Sequence, residues 1–129
     1  MKKLLLICSI FFFQVSCSGV SVVTLQKNVS PEYISNRYLS NKGANGALKL
    51  IYDYAVNSVK ISNYSEALVL FGVLANVESS QAAAYNNKGV VYELMNDRLK
   101  ALEMYSKANL LDDCGYFREN YFACLYAKP

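Results

Sequence analysis

The chain has 129 residues, with 13 basic and 10 acidic side chains and a formal net charge of +3. This length has room for one domain, and so small a charge without a basic run gives no electrostatic footprint for nucleic acid. Histidine is absent, which excludes a histidine-based catalytic triad, histidine metal site or histidine pH switch. We therefore predict that the protein is not an enzyme and holds no cofactor or metal.

The N-terminus has the pattern of an export signal. Lys2 and Lys3 precede an apolar run, residues 4–13, which is shorter than the roughly 20 residues of a membrane span. We predict a signal peptide over residues 1–16, and an uncleaved N-terminal anchor is the alternative. Removal of Lys2 and Lys3 would leave a net charge of about +1.

The residues after the apolar run resemble a bacterial lipobox. Val15-Ser16-Cys17 fits that motif, and Gln14 departs from it, since an aliphatic residue is usual there. The resemblance implies a lipid on Cys17 and an anchored position in the bacterial cell envelope, on the periplasmic or surface side. A soluble periplasmic or secreted protein, cut near Ser18 or Gly19, is the alternative.

Residues 17–46 are predicted to form a tether that contains one short helix. Residues 17–29 are polar and β-branched without helical periodicity. Ser30 and Pro31 then supply an N-cap and a first helical residue, which predicts a helix from Pro31 to about Ser40. Glycines at 43 and 46 end it.

Beyond residue 46, apolar side chains recur three and four residues apart, which predicts amphipathic helices. Turn residues separate them, among them the segment 78–80, which we predict to be a turn. The predicted helices begin at Ala47 and at Tyr64, run from about Gln81 to Met95 and from Arg98 to Leu111, and end with Tyr116–Ala127.

The sequence also matches itself at a spacing of 34 residues. The paired positions are Ala55 with Gly89, Asn63 with Asp97, Ala67 with Ala101, and Phe71 with Tyr105. A period of this length is typical of helical hairpins that stack on one another and bury a continuous core.

Residues 84–108 closely resemble the tetratricopeptide repeat. The matching positions are the large residues Tyr85, Tyr92 and Tyr105 and the small residues Gly89, Ala101 and Ala108. The resemblance implies an all-α, short right-handed helical-hairpin solenoid. It would comprise a degenerate repeat over residues 48–81, a second repeat over 82–115 and a capping helix over 116–129. In the first repeat Ser58 replaces the aromatic residue.

In this family the first helix of each hairpin lines a concave surface that binds a protein or peptide. The resemblance places on that surface Lys49, Tyr52, Val56, Lys60, Asn86, Val90, Glu93, Phe117 and Asn120. Tyr52 and Phe117 would be anchors, and the amides of Asn86 and Asn120 would bind a main chain. Alternatively, these are ordinary surface residues.

Of the four cysteines, Cys8 lies in the predicted signal peptide and Cys17 is the predicted lipidation site. The other two, Cys114 and Cys124, are expected to be free thiols, and a disulfide between them with a broken last helix is the alternative. If residues 116–127 are helical, Cys114 and Cys124 lie about 12 Å or more apart along the axis. A disulfide needs Cα atoms within about 7 Å.

The sequence thus predicts an exported, lipid-anchored interaction module, similar in architecture to accessory or assembly lipoproteins of envelope complexes. Its partner is a protein or peptide of unidentified sequence, and the lipid provides its membrane contact. The alternatives are a soluble exported binding protein and a self-associating structural subunit that forms a homodimer.

Overall fold

The protein is described from a computed structural model, which covers residues 22–24 and 37–128. The predicted signal peptide, the lipidation at Cys17 and the first part of the predicted short helix lie outside these residues. The elements are β1 (Val22–Thr24), β2 (Tyr38–Ser40), α1 (Ala47–Lys60), α2 (Tyr64–Ala75), α3 (Glu78–Leu94), α4 (Arg98–Leu111) and α5 (Gly115–Leu125). The described chain is therefore mostly helical, which confirms the all-α class.

The helices pack in chain order, each against the next, and α3 also contacts α5. Their apolar faces enclose one main core, and a smaller cluster lies between the start of α3 and the start of α5. The largest side chains with no exposed surface are Phe71, Tyr105 and Phe117. Across the part of the chain that is described, no helix combines the length and the apolar character that crossing a membrane requires.

The turns between helices repeat with the spacing seen in the sequence. Ser62 and Asn96, 34 residues apart, both have a φ of 62°. Each is followed by a residue whose side chain caps the next helix: Asn63 accepts from the N–H of Glu66, and Asp97 accepts from the N–H of Lys100. The α1–α2 and α3–α4 connections are therefore closed by the same local structure.

Helix α3 begins at Glu78, three residues earlier than predicted, so the prediction of a turn over residues 78–80 is wrong. The Ser80 hydroxyl donates to the Leu74 carbonyl at 2.8 Å, and the Gln81 amide donates to the Ala75 carbonyl at 3.0 Å. These side chains satisfy carbonyls at the end of α2, and the connection shortens to Asn76 and Val77.

The predicted helix at residues 31–40 is wrong over its described part, since residues 38–40 form a strand. β2 pairs antiparallel with β1, in the register Val22 with Ser40, Val23 with Leu39, and Thr24 with Tyr38. β2 also packs on α3 and α5. Leu39 has no exposed surface and belongs to the main core, so burial and pairing override the local helix signal.

Gly89 brings α3 close to α4. A Cβ at this position would lie 2.6 Å from both Cδ1 and Cε1 of Tyr105, whose ring is fully buried. We expect Gly89→Ala to lower the free energy of unfolding by about 1–3 kcal/mol, because the ring must move within a packed core.

The matched control is Gly72→Ala in α2, where an added Cβ meets nothing within 4 Å. This change should raise the free energy of unfolding by about 0.5–1 kcal/mol, since alanine is the better helix former. Urea unfolding followed by circular dichroism measures both. Equal effects at the two glycines would show that α3 and α4 are not in tight contact.

Candidate functional site: a groove between α3 and α5

Three asparagine side chains hold β2 in a groove between α3 and α5. Asn87 accepts from the N–H of Ser40 and donates to its carbonyl, both at 2.8 Å. Asn120 does the same for Tyr38, at 3.0 and 2.9 Å, and Asn86 adds a second donor to the Tyr38 carbonyl at 2.8 Å. The side chains thus bind main-chain groups on alternate residues.

This alternation follows from strand geometry. In an antiparallel pair, successive residues direct their N–H and C=O groups to opposite sides of the strand. Tyr38 and Ser40 direct theirs to the asparagine side chains, and Leu39 lies between them, opposite Val23 of β1. β2 is therefore hydrogen-bonded on both edges. One edge pairs with β1, and the other is bound by asparagine side chains of α3 and α5 in the pattern that a neighbouring strand would show.

The amides are oriented by contacts with one another. Asn120 donates to Asn86 at 2.8 Å, across 34 residues of sequence, and Asn86 donates to Asn87 at 3.2 Å. All three side chains are buried, so each amide needs these partners to avoid an unsatisfied polar group. The groove is consequently preorganised to bind an extended main chain.

One side chain of the bound segment is recognised as well. The guanidinium of Arg37 binds both carboxylate oxygens of Glu93, at 2.7 and 2.9 Å. The Tyr105 hydroxyl donates to the same carboxylate at 2.6 Å. Arg37 and Glu93 are only 5% and 4% exposed. Because a buried carboxylate needs a compensating charge, this end of the groove requires a cation, and its bidentate geometry fits arginine.

Burial and the Glu93 charge shift the pKa values of groups around this pair. Burial would lower the pKa of Arg37, but hydrogen bonding and charge from Glu93 more than offset it, so the pKa is raised. Burial, then the charge of Glu93, raises the pKa of Tyr105. The same two causes raise the pKa of Cys124 to about 12. The phenol and the thiol therefore remain protonated near neutral pH.

The two cysteines in the described helical region differ in redox state. Cys124 is a free, buried thiol, as predicted. Cys114 is disulfide-bonded, so the prediction that it is a free thiol is wrong. Its bond is not to Cys124, which agrees with the separation argued from the helix. The partner of Cys114 lies outside the described residues.

Most of the side chains predicted to contact a partner are not open to solvent. The buried ones are Tyr52, Val56, Asn86, Val90, Glu93, Phe117 and Asn120. Lys49 and Lys60 are exposed, and Lys49 forms an ion pair with Asp53 at 2.8 Å. The groove therefore brings together Asn86, Glu93 and Asn120, and there they contact the chain's own residues 37 and 38. Binding of another protein to this surface stays a prediction.

Asn87, Tyr105 and Arg37 belong to the site and were missed from the sequence. Asn87 had a visible signal, since it lies next to Asn86 within a predicted helix. The repeat pattern identifies Tyr105 only as a large residue, although its hydroxyl contacts Glu93. Arg37 lies within the predicted helix at residues 31–40, whose described part is not helical.

A second concavity, of about 260 Å³, lies between α4 and α5. It is lined by Ser106, Asn109, Leu110, Arg118, Tyr121 and Phe122. Arg118 is engaged with Asp113 at 2.7 Å. The residues described also contain no group of three histidine, cysteine or acidic side chains placed to hold a metal ion.

Comparison of the chain with protein-family models, with curated proteins and with solved structures finds no match. The function is therefore argued from the groove itself.

Proposed function

We propose that the protein is an exported interaction module that binds an extended polypeptide segment in the groove between α3 and α5. Its framework would be a short tetratricopeptide-like solenoid, with two helical hairpins and α5 as the capping helix. The repeated turn geometry 34 residues apart, at Ser62 and Asn96, supports this arrangement. The direct contact of Asn86 with Asn120, also 34 residues apart, supports it as well.

The observation that carries the proposal is the binding of alternate main-chain groups by asparagine side chains. Main-chain hydrogen bonds give affinity for an extended segment whatever its sequence, and side-chain pockets then give specificity. Here the specificity would come from two contacts. Glu93 binds an arginine, and the main core accommodates the apolar side chain two residues after that arginine, as it does Leu39. The groove is thus suited to an extended segment with arginine followed at the second position by an aliphatic residue, as in Arg37-Tyr38-Leu39.

In the described structure the chain supplies that segment itself. A partner would have to compete with residues 37–40, whose local concentration is high because they are covalently attached. We therefore propose that β2 is an internal occupant, and that a partner segment binds when it displaces β2.

The cellular setting of this proposal comes from the leader. An export signal over residues 1–16 would deliver the module to the bacterial cell envelope, where it would serve as an accessory or assembly component. Cys17 would decide between a lipid-anchored and a soluble protein. The proposed binding in the groove is the same for a lipid-anchored and for a soluble protein.

A labelled peptide with the sequence of residues 36–42 tests the binding proposal by fluorescence anisotropy. We expect weak binding to the wild-type protein and at least about tenfold tighter binding to the Arg37→Ser/Leu39→Ser variant, in which the internal occupant is weakened. A peptide with glutamine in place of arginine is the matched control and should bind about tenfold more weakly than the arginine peptide.

Circular dichroism establishes that the variant is folded, and Arg37→Ser alone replaces it if the double variant is not. A folded variant that binds neither peptide, or both peptides equally, would contradict the proposal.

A self-associating structural subunit is the second candidate, and the outer surface of α5 favours it. Phe122 and Tyr126 are 47% and 74% exposed, and their rings stack with centroids 6.1 Å apart. Exposed paired rings at the end of a stack of helices suit contact with a second copy. Light scattering at high protein concentration, with Phe122→Ser as the comparison, distinguishes a dimer from a monomer.

A further inference from the structure

The chain's own segment makes specific contacts beyond β2 as well. After Ser40 it turns, and the N–H of Ala44 donates to the Asn41 carbonyl at 2.9 Å. The two central residues of this turn are Lys42 and Gly43. Lys42 contacts the connection between α4 and α5, and Gly43 contacts the first turn of α3. The turn therefore lies against a second part of the helical surface, next to the groove.

Gly43 is in contact with main-chain atoms of α3. Its φ is 75°, the value that the third residue of a type II turn requires and that glycine adopts without strain. A Cβ at this position would overlap the carbonyl group of Ser79 and lie 2.9 Å from the Ser80 nitrogen. These atoms belong to a helix backbone, so they cannot move aside as a flexible side chain could. The Ser79 hydroxyl also donates to the Gly43 carbonyl at 3.1 Å. This position therefore requires glycine.

Lys42 supplies a charge contact in the same turn. Its ammonium lies 2.5 Å from a carboxylate oxygen of Asp112, the residue that follows α4. The two side chains are only 28% and 27% exposed, so water and salt screen this pair less than a fully exposed one. This part of the surface therefore favours a basic residue at the position before the glycine.

The contacts of the segment follow α3 in order. The residues of α3 that contact it are, from the end of the helix to its start, Glu93, Asn87 and Ser79. Their partners in the segment are residues 37, 40 and 43, which follow one another in the opposite direction. The segment thus runs antiparallel to α3. A polypeptide that replaces β2 in the same direction would reach the turn position six residues after its arginine.

We infer that the turn position is a second subsite, which requires a glycine in the bound segment and favours a lysine immediately before it. The second subsite consists of Ser79, Ser80 and Asp112. Its ligand is a polypeptide in which lysine and glycine stand five and six residues after the arginine, a pattern that residues 37–43 show. The inference rests on the proposed function, because it extends the same groove.

Fluorescence anisotropy with labelled peptides of residues 36–46 tests the glycine requirement, with the Arg37→Ser/Leu39→Ser variant as the receptor. Gly43→Ala in the peptide should weaken binding at least about tenfold, because the added methyl group overlaps the Ser79 backbone. The receptor's own turn competes equally with every peptide.

The matched control is Gly46→Ala in the peptide. Gly46 also has a positive φ, of 52°, but an added Cβ there meets nothing within 4 Å. This change should weaken binding by less than about threefold, since it lies near the peptide's end, where there is open space.

The lysine contact is tested by a double-mutant cycle. Lys42→Gln in the peptide should weaken binding about twofold to fivefold, as for a partly exposed charge pair. With Asp112→Asn in the receptor, the lysine and glutamine peptides should bind equally. Asp113→Asn is the matched control and should preserve the difference, because Asp113 pairs with Arg118 instead.

The failure of the second subsite is distinguishable from that of the groove. Circular dichroism establishes that each receptor is folded, and Arg37→Ser alone replaces the double variant if that variant is not. Arginine-dependent binding that is indifferent to Gly43→Ala would overturn the glycine requirement, and equal binding of the lysine and glutamine peptides to the receptor with Asp112 would overturn the lysine preference. Both results leave the groove proposal standing. If no peptide binds, both proposals are overturned.

Discussion

Replacement of Glu93 by glutamine is expected to lower the free energy of unfolding by about 3–5 kcal/mol. The change keeps the shape of the side chain but leaves the guanidinium of Arg37 buried without a compensating charge. The change also removes the charged acceptor of the Tyr105 hydroxyl. In the unmutated protein this hydroxyl lies 2.6 Å from the Glu93 carboxylate. Urea unfolding followed by circular dichroism measures the loss.

Glu103→Gln is the matched control for Glu93→Gln. Glu103 also forms an ion pair, with Lys107 at 2.7 Å, but both side chains are about half exposed. Water and salt weaken such a pair, so the midpoint of unfolding should not change. If Glu93→Gln and Glu103→Gln unfold at the same urea concentration, the groove does not depend on a buried charge pair.

Removing the Asn120 side chain should release β2 from one side of the groove. Asn120→Ala removes three hydrogen bonds. The Tyr38 N–H loses its acceptor, the Tyr38 carbonyl loses one of its two donors, and the Asn86 side-chain oxygen loses the donor from Asn120. We expect the free energy of unfolding to fall by about 2–4 kcal/mol, since buried polar groups lose hydrogen bonds. In hydrogen-exchange measurements the Tyr38 amide should lose more protection than amides in α1.

The comparison for Asn120→Ala is Asn57→Ala, at an exposed position in α1. Asn57→Ala should change the free energy of unfolding by no more than about 0.5 kcal/mol. It should leave the hydrogen exchange of the Tyr38 amide unchanged. Unaltered exchange at Tyr38 in Asn120→Ala would mean that the amide does not hold the strand.

The helices from residue 47 onward were predictable because their information is local. Apolar spacing located α4 at its observed bounds. The turn residues Asn63 and Asp97 lie just before two predicted helices, and the structure shows that their side chains cap those helices. The start of α3 was placed too late. Its first turn is held by bonds from Ser80 and Gln81 to the end of α2, which apolar periodicity does not encode.

The strand at residues 38–40 could not be predicted from its own residues. Ser30 and Pro31 favour a helix start locally, whereas the extended form of residues 38–40 depends on amides 47 to 82 residues away in sequence. The asparagine side chains of this interaction were easier to predict than the strand that they bind. Asn86 and Asn120 were predicted to bind a main chain, but nothing in their spacing indicates that this main chain is the chain's own.

The asparagine side chains have a further consequence for solubility. A strand with an open edge is a template on which strands of other molecules can add, and this leads to aggregation. Along β2 the N–H and C=O groups that would recruit such a strand are already bonded to Asn86, Asn87 and Asn120. The helices thus protect β2 from intermolecular sheet formation on that side, without a proline, a bulge or an exposed lysine at the edge.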